Sequence, residues 1–278
     1  MDDLISTSWL ADRLTESDLV VLDASWFLPE HGRDPRTDFA SGHIPGARFL
    51  DLAALTDSDD ALPMMLPGDH AFNEAMRALG ISNDSRVVVY DDSPLHTSAR
   101  AWWMLRLMGV PRVAILDGGL AQWRGEGRAL EMGDTTPASG IFMAHSDRGL
   151  VRDKSAMLAN LASGEEQMVD ARSPARFAGD EPEPRAGVEP GHIPGSLNLP
   201  YARLFDAAGK WRPPAELRAA FEDAGIDLHR PIVTTCGSGV TAATLVFALH
   251  LLGHEAALYD GSWSEWGAAD VPKAKGPA

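Results

Sequence analysis

The pentapeptide Gly42-His43-Ile44-Pro45-Gly46 returns as Gly191-His192-Ile193-Pro194-Gly195, 149 positions further on. Three other blocks repeat in the same order. An apolar run ending at Asp23 (LVVLDA) is matched by one ending at Asp170 (QMVDA). The run Arg86–Tyr90 before Asp91 is matched by Pro231–Thr235 before Cys236, 145 positions away. Asp117-Gly118-Gly119-Leu120 is matched by Asp260-Gly261-Ser262-Trp263, 143 positions away. Four ordered matches with slightly drifting offsets describe a duplicated domain with small insertions. The period is far too long for a solenoid. A chain patterned this way folds as two similar bodies.

Within each half, short apolar runs alternate with helical patterns. In the first, 71–81 and 99–110 are predicted helices and 113–116 a further strand. In the second, 154–162, 214–226 and 241–252 occupy the corresponding slots. Alternating β and α predicts an α/β fold: two similar domains, each a mainly parallel sheet with helices on both faces. Ligands then bind at the carboxyl ends of the strands, where Asp91 and Cys236 stand. The aperiodic stretch 131–149, rich in Gly, Pro, Ser and Thr, reads as a linker between domains at 1–130 and 150–278. The tail 272–278 is expected to fray.

Bulk properties narrow the function classes. A formal net charge of −16 opposes binding to nucleic acid or to an anionic membrane. It leaves room for a small anionic substrate held by local arginines. No run of 18 apolar residues offers a membrane span, and the acidic start MDDLISTSWL lacks the pattern of a secretory signal. A single cysteine excludes an intrachain disulfide and fits a reducing compartment, so a cytoplasmic location is expected. Without a cysteine cluster or a close histidine pair, neither a metal site nor another cofactor is expected.

That cysteine has a telling context. Ile232–Thr235 reads as a buried strand, and Thr241–Leu252 as an apolar helix stopped by Gly253. Cys236 therefore sits where strand turns into helix. Gly237 and Gly239 let the backbone curl its N–H groups inward, and the helix N-terminus adds partial positive charge. Both effects favour an anion, so a nucleophilic sulfur is a better reading than an inert core thiol. The other copy has Asp91 at this place and cannot do sulfur chemistry. One half is active and the other supports the fold or the pocket wall.

These blocks, with the loop Cys236-Gly-Ser-Gly-Val-Thr241, resemble the rhodanese superfamily in its tandem form over nearly the whole chain. The loop is similar to that of mercaptopyruvate sulfurtransferases, whereas thiosulfate enzymes usually carry Arg and Lys after the cysteine. The resemblance implies transfer of a sulfane sulfur through a persulfide on Cys236, from a small anionic donor to thioredoxin, a low-molecular-weight thiol or cyanide. The N–H groups of Gly237, Ser238, Gly239, Val240 and Thr241 would hold the outer sulfur, and the Ser238 and Thr241 hydroxyls would add hydrogen bonds. Arg176 and Arg185, flanking the stretch FAGDEPEP, match the pair that binds the donor's carboxylate and keto oxygens. Met64 and Ala53 stand where vertebrate-type mercaptopyruvate enzymes carry a histidine and an aspartate, which leaves the proton-transfer group open.

Other residues read as structural. His43 and His192 recur in both copies and suit a hydrogen bond at a turn. Asp23 and Asp170 recur as loop organisers. Trp102, Trp103, Trp263 and Trp266 suit the core, and Trp26 a pocket rim. Three rival functions stay open: a thiosulfate:cyanide sulfurtransferase, a cysteine phosphatase or arsenate reductase, and a passive sulfur carrier or binding module. Phosphatases need an arginine six positions past the cysteine, where this chain has Ala242.

Overall fold

The computed structural model describes residues 1–277. It divides the chain into two compact units. The first comprises Met1–Asp57, Leu66–Asp147 and Ala207–Lys210; the second comprises Ser58–Met65, Arg148–Asp206 and the chain from Trp211 onward. Ser58–Met65, which carries Met64, therefore belongs with the second unit although it lies in the first half of the sequence.

The first unit holds strands β1 (Leu4–Ile5), β2 (Leu19–Asp23), β3 (Arg48–Phe49), β4 (Arg86–Tyr90) and β5 (Val113–Leu116). They form one parallel sheet in the order β1-β5-β4-β2-β3. The second holds β6 (Val151–Arg152), β7 (Gln167–Asp170), β8 (Leu197–Asn198), β9 (Ile232–Thr235) and β10 (Ala257–Tyr259). Its order, β6-β10-β9-β7-β8, is the same topology, again parallel throughout. Each sheet is joined by helical crossovers, so the strands are covered and read as continuous apolar runs without alternation. All five residues of β2 and all four of β7 and β9 are buried.

The repeated blocks perform the same structural work in each unit. His43 and His192 stack on Phe39 and Phe177 with ring centroids 3.9 and 3.8 Å apart. Their Nδ1 atoms bond the carbonyls of those same phenylalanines at 2.8 and 2.9 Å. The backbone of His43 pairs with Glu131, and that of His192 with Ala274. This second pairing corrects the expectation of a frayed tail. Ala274 is bonded in both directions to His192, and Lys273 pairs with Glu189 at 2.7 Å. Ala278 lies outside the described residues. Trp263 and Trp266 are in the core of the second unit, and Trp102 and Trp103 are buried in the first.

Candidate active site

The central strand β9 delivers Cys236 at its carboxyl end, and the helix Ala242–Leu251 begins six residues later. Between them the backbone turns tightly. Gly239 takes φ +77°, a left-handed conformation that costs a side-chain-bearing residue about 1–2 kcal/mol. Among the described residues, the N–H groups of Gly237, Ser238, Val240 and Thr241 meet no protein acceptor outside the helix that follows. Those of the buried Ser238 and Val240 are costly unless something receives them. A bound anion would. Cys236 itself is 2 % exposed, whereas Gly237 and Thr241 on the rim are half-buried.

The last repeated block grips the loop from the other side. The Cys236 N–H donates to Ser262 Oγ at 3.3 Å, and the Cys236 carbonyl accepts from Trp263 N–H at 2.9 Å. The Gly237 carbonyl accepts from Ser264 N–H at 2.9 Å and from the Ser264 hydroxyl. The sulfur-bearing residue is thus fixed by a second element of its own unit.

Three guanidinium groups lie close to this loop or feel the charge of Cys236. Arg176 lies over Gly237; a Cβ there would stand 3.3 Å from Arg176 Nη2. Arg185 donates to Ser264 Oγ. Burial and the neighbouring Arg176 hold the pKa of Arg185 below its ordinary value, while Cys236 and Glu183 work in the opposite sense. Arg172, not foreseen from the sequence, is buried. It pairs with Asp170 at 2.6 Å and with Glu183 at 2.8 Å, and stacks over Trp263 at 4.6 Å. Burial opposes its charge, but Asp170, Glu183 and Cys236 outweigh that and hold its pKa above the ordinary value. Glu183 bridges Arg172 and Arg176. Tyr201 also feels the sulfur: burial, then the nearby Cys236, raises its phenol pKa.

The structure therefore brings Cys236, Arg176, Arg185 and the loop 237–241 together within one unit. Ser238 is buried in that loop, and its hydroxyl has no partner among the described residues. Met64 is buried with a left-handed backbone, φ +62°. Sequence reasoning missed Arg172, Glu183, Tyr201, Ser262 and Ser264. A signal for three of them lay in the repeat, because Ser25, Gly119 and Ala121 stand in the first copy where Arg172, Ser262 and Ser264 stand in the second.

The first unit shows what the same loop does without sulfur. Asp91 turns its own carboxylate into the loop: Oδ1 accepts Ser93 N–H at 2.9 Å and Oδ2 accepts Ser98 N–H at 2.7 Å. Its carbonyl accepts Leu120 N–H at 3.0 Å, the counterpart of the Trp263–Cys236 bond. In the first unit the loop's donors thus meet an anion that the chain itself supplies. Ion-pair partners there, Arg33 and Arg124, go to Asp92.

Comparison with known proteins agrees with this geometry. The rhodanese-like domain model matches residues 6–126 and again 153–269. A human protein named 3-mercaptopyruvate sulfurtransferase is 41 % identical over 270 residues, covering 95 % of this chain and 91 % of its own length. A protein of that name from Escherichia coli K12 is 41 % identical over 272 residues, covering 96 % of each chain. A Cricetulus griseus protein named thiosulfate sulfurtransferase reaches 41 % over 271 residues, with 95 % and 91 % coverage. The crystal structure of the 3-mercaptopyruvate sulfurtransferase SseA from E. coli superposes with a TM-score of 0.87 at 38 % identity, covering 95 % of this chain and 99 % of that one. On the repeated fold, the strand–Cys–helix loop and these matches, the chain is a member of the rhodanese family with two rhodanese-like domains in tandem.

Proposed function

We propose that this chain is a 3-mercaptopyruvate sulfurtransferase working through a persulfide on Cys236, with catalysis in the domain from residue 150 onward and a non-catalytic domain over 1–130. One observation carries the reading: the chain's single cysteine sits in a loop where the N–H groups of Gly237, Ser238, Val240 and Thr241 meet no acceptor among the described residues, beside two arginines able to hold a carboxylate. The Cys236 thiolate attacks the donor's sulfur. The sulfur–carbon bond breaks, and its electron pair stays on carbon as the enolate of pyruvate. The proton lost from the sulfur is balanced by the one gained at that carbon, giving pyruvate and a Cys236 persulfide anion. Arg176 and Arg185 orient the carboxylate and keto oxygens, and the second of these takes up the enolate charge. The N–H groups of Gly237 to Thr241 receive the outer sulfur. A thiol or cyanide then removes that neutral sulfur and restores the thiolate.

With a single cysteine, no internal disulfide can resolve the intermediate, so the acceptor is another molecule: thioredoxin, a small thiol or cyanide. A reducing compartment such as the cytoplasm supplies such thiols. Among the described residues, no helix is long and apolar enough to cross a membrane, and no cluster of three or more side chains is arranged to hold a metal ion.

Thiosulfate is the competing donor, and relatives of both names match at 41 % identity. The loop favours mercaptopyruvate because the two residues after the cysteine, Gly237 and Ser238, are uncharged where thiosulfate enzymes usually carry Arg and Lys, so the loop itself adds no cation to the arginines already at the site. Steady-state kinetics on both donors test this. A larger kcat/KM on mercaptopyruvate is expected; a larger value on thiosulfate would overturn the assignment.

A further inference from the structure

Ser264 is where a substrate-binding arginine meets the backbone of the sulfur loop. Its hydroxyl accepts a hydrogen bond from Arg185 and donates one to the Gly237 carbonyl. Its N–H reaches the same carbonyl at 2.9 Å. Among the described residues, Ser264 Oγ is the one hydrogen-bond acceptor of the Arg185 guanidinium. Arg185 is thus held at one point, with its remaining N–H groups available.

The duplicated domain supplies an internal control. Leu120 N–H to the Asp91 carbonyl reproduces Trp263 N–H to the Cys236 carbonyl, at 3.0 and 2.9 Å. That one backbone bond therefore exists with or without a cysteine, whereas the Ser264 N–H bond to the Gly237 carbonyl has no counterpart between Ala121 and Asp92 among the described residues. Ala121, the counterpart of Ser264, has no hydroxyl to offer. The hydroxyl occurs in the copy that also has the cysteine, and it adds a second bond to the Gly237 carbonyl and the link from that carbonyl to Arg185.

We infer that Ser264 is a positioning residue that ties the carboxylate-binding Arg185 to the Cys236 loop, so that the donor's anchor and the attacking sulfur keep a fixed separation. The inference rests on the assignment of Arg185 as a carboxylate anchor. The physical basis is preorganisation. An arginine side chain is entropically costly to order, and one already fixed spares the substrate that cost. Attack on sulfur depends on distance and alignment to within about an ångström. A single acceptor shared with the loop backbone sets both.

A double-mutant cycle tests this. Ser264→Ala is expected to lower kcat/KM on mercaptopyruvate about tenfold, mostly through KM, as for loss of a charge-assisted hydrogen bond. Ser264→Thr should retain most of the activity. In an Arg185→Gln background, Ser264→Ala should change kcat/KM less than about twofold, because the link is already gone. If Ser264→Ala costs the same factor in both backgrounds, or nothing in the wild type, the inference is overturned. Should the alanine variant not fold, Ser264→Val against Ser264→Thr isolates the hydroxyl at nearly constant shape. Running the cycle on both donors keeps the two questions apart: a wild-type preference for thiosulfate would overturn the functional reading and still leave the coupling of Arg185 to Ser264 measurable.

Discussion

Arg172 Nη1 and the Glu183 carboxylate meet at 2.8 Å with side chains 1 % and 4 % exposed. Asp170 closes the other side of the guanidinium at 2.6 Å, and the Gly191 carbonyl accepts from it at 2.7 Å. The Gly191 bond fastens the second GHIPG block to β7, and Glu183 carries the network on to Arg176. Breaking a dry ion pair by removing one partner is costly because the other charge stays buried and unpaired. Arg172→Met should therefore destabilise the second unit by about 3–5 kcal/mol. Urea unfolding followed by tryptophan fluorescence would measure it, since Trp263 stacks on Arg172. A loss below about 1 kcal/mol would contradict this reading.

Asp91 offers the converse test. Its carboxylate satisfies the N–H groups of Ser93 and Ser98 inside the first unit. Asp91→Ala leaves both donors without it, at about 1–3 kcal/mol per unsatisfied group. The expected phenotype is a less stable protein whose sulfurtransferase kcat stays within about twofold of wild type. Asp91→Asn, which keeps an acceptor oxygen, should lie between. Chemical unfolding and steady-state rates on the same preparations check both halves. A tenfold loss of kcat without loss of stability would assign Asp91 a different role.

Much of this was legible in the sequence because the chain states its architecture twice. The buried strands β2, β4, β7 and β9 are β-branched or apolar runs of four or five residues, long enough to carry a pattern. The edge strands β1, β3, β6 and β8 have two residues each and carry none; their pairing is decided by the crossovers around them. Cys236 was legible because cysteine is unique here, and Arg176 and Arg185 only through the resemblance of their stretch to that of the rhodanese superfamily. Arg172 was not, since it lies beside Asp170 at a place read as a loop organiser in both copies. Its importance comes from Glu183, eleven positions away, folding back onto it. The tail misled for a similar reason: Ala274 is held by backbone pairing with His192, which no side-chain pattern announces.

Asp23 occupies the place of Asp170 but has Ser25 where the second unit has Arg172. Without that cation, burial dominates and pushes its pKa up to about 6, against lowering by hydrogen bonds from Ser25 and Tyr90. A carboxyl whose pKa is higher in the folded chain favours folding when protonated. Its contribution is full below the unfolded value near 4 and is lost as pH rises through about 6. A shift of this size is worth on the order of 3 kcal/mol. The first unit should therefore lose stability between about pH 4 and pH 6, and Asp23→Asn should flatten that slope. Unfolding midpoints across this range, in wild type and variant, give the comparison; parallel curves would contradict it.

The most direct test of the whole account is the intact mass of the protein after incubation with 3-mercaptopyruvate and removal of excess donor. The expected result is a gain of one sulfur atom per chain, reversed by a thiol reductant and absent in Cys236→Ala. An unchanged mass in the wild type, with pyruvate nevertheless released, would contradict a persulfide on Cys236.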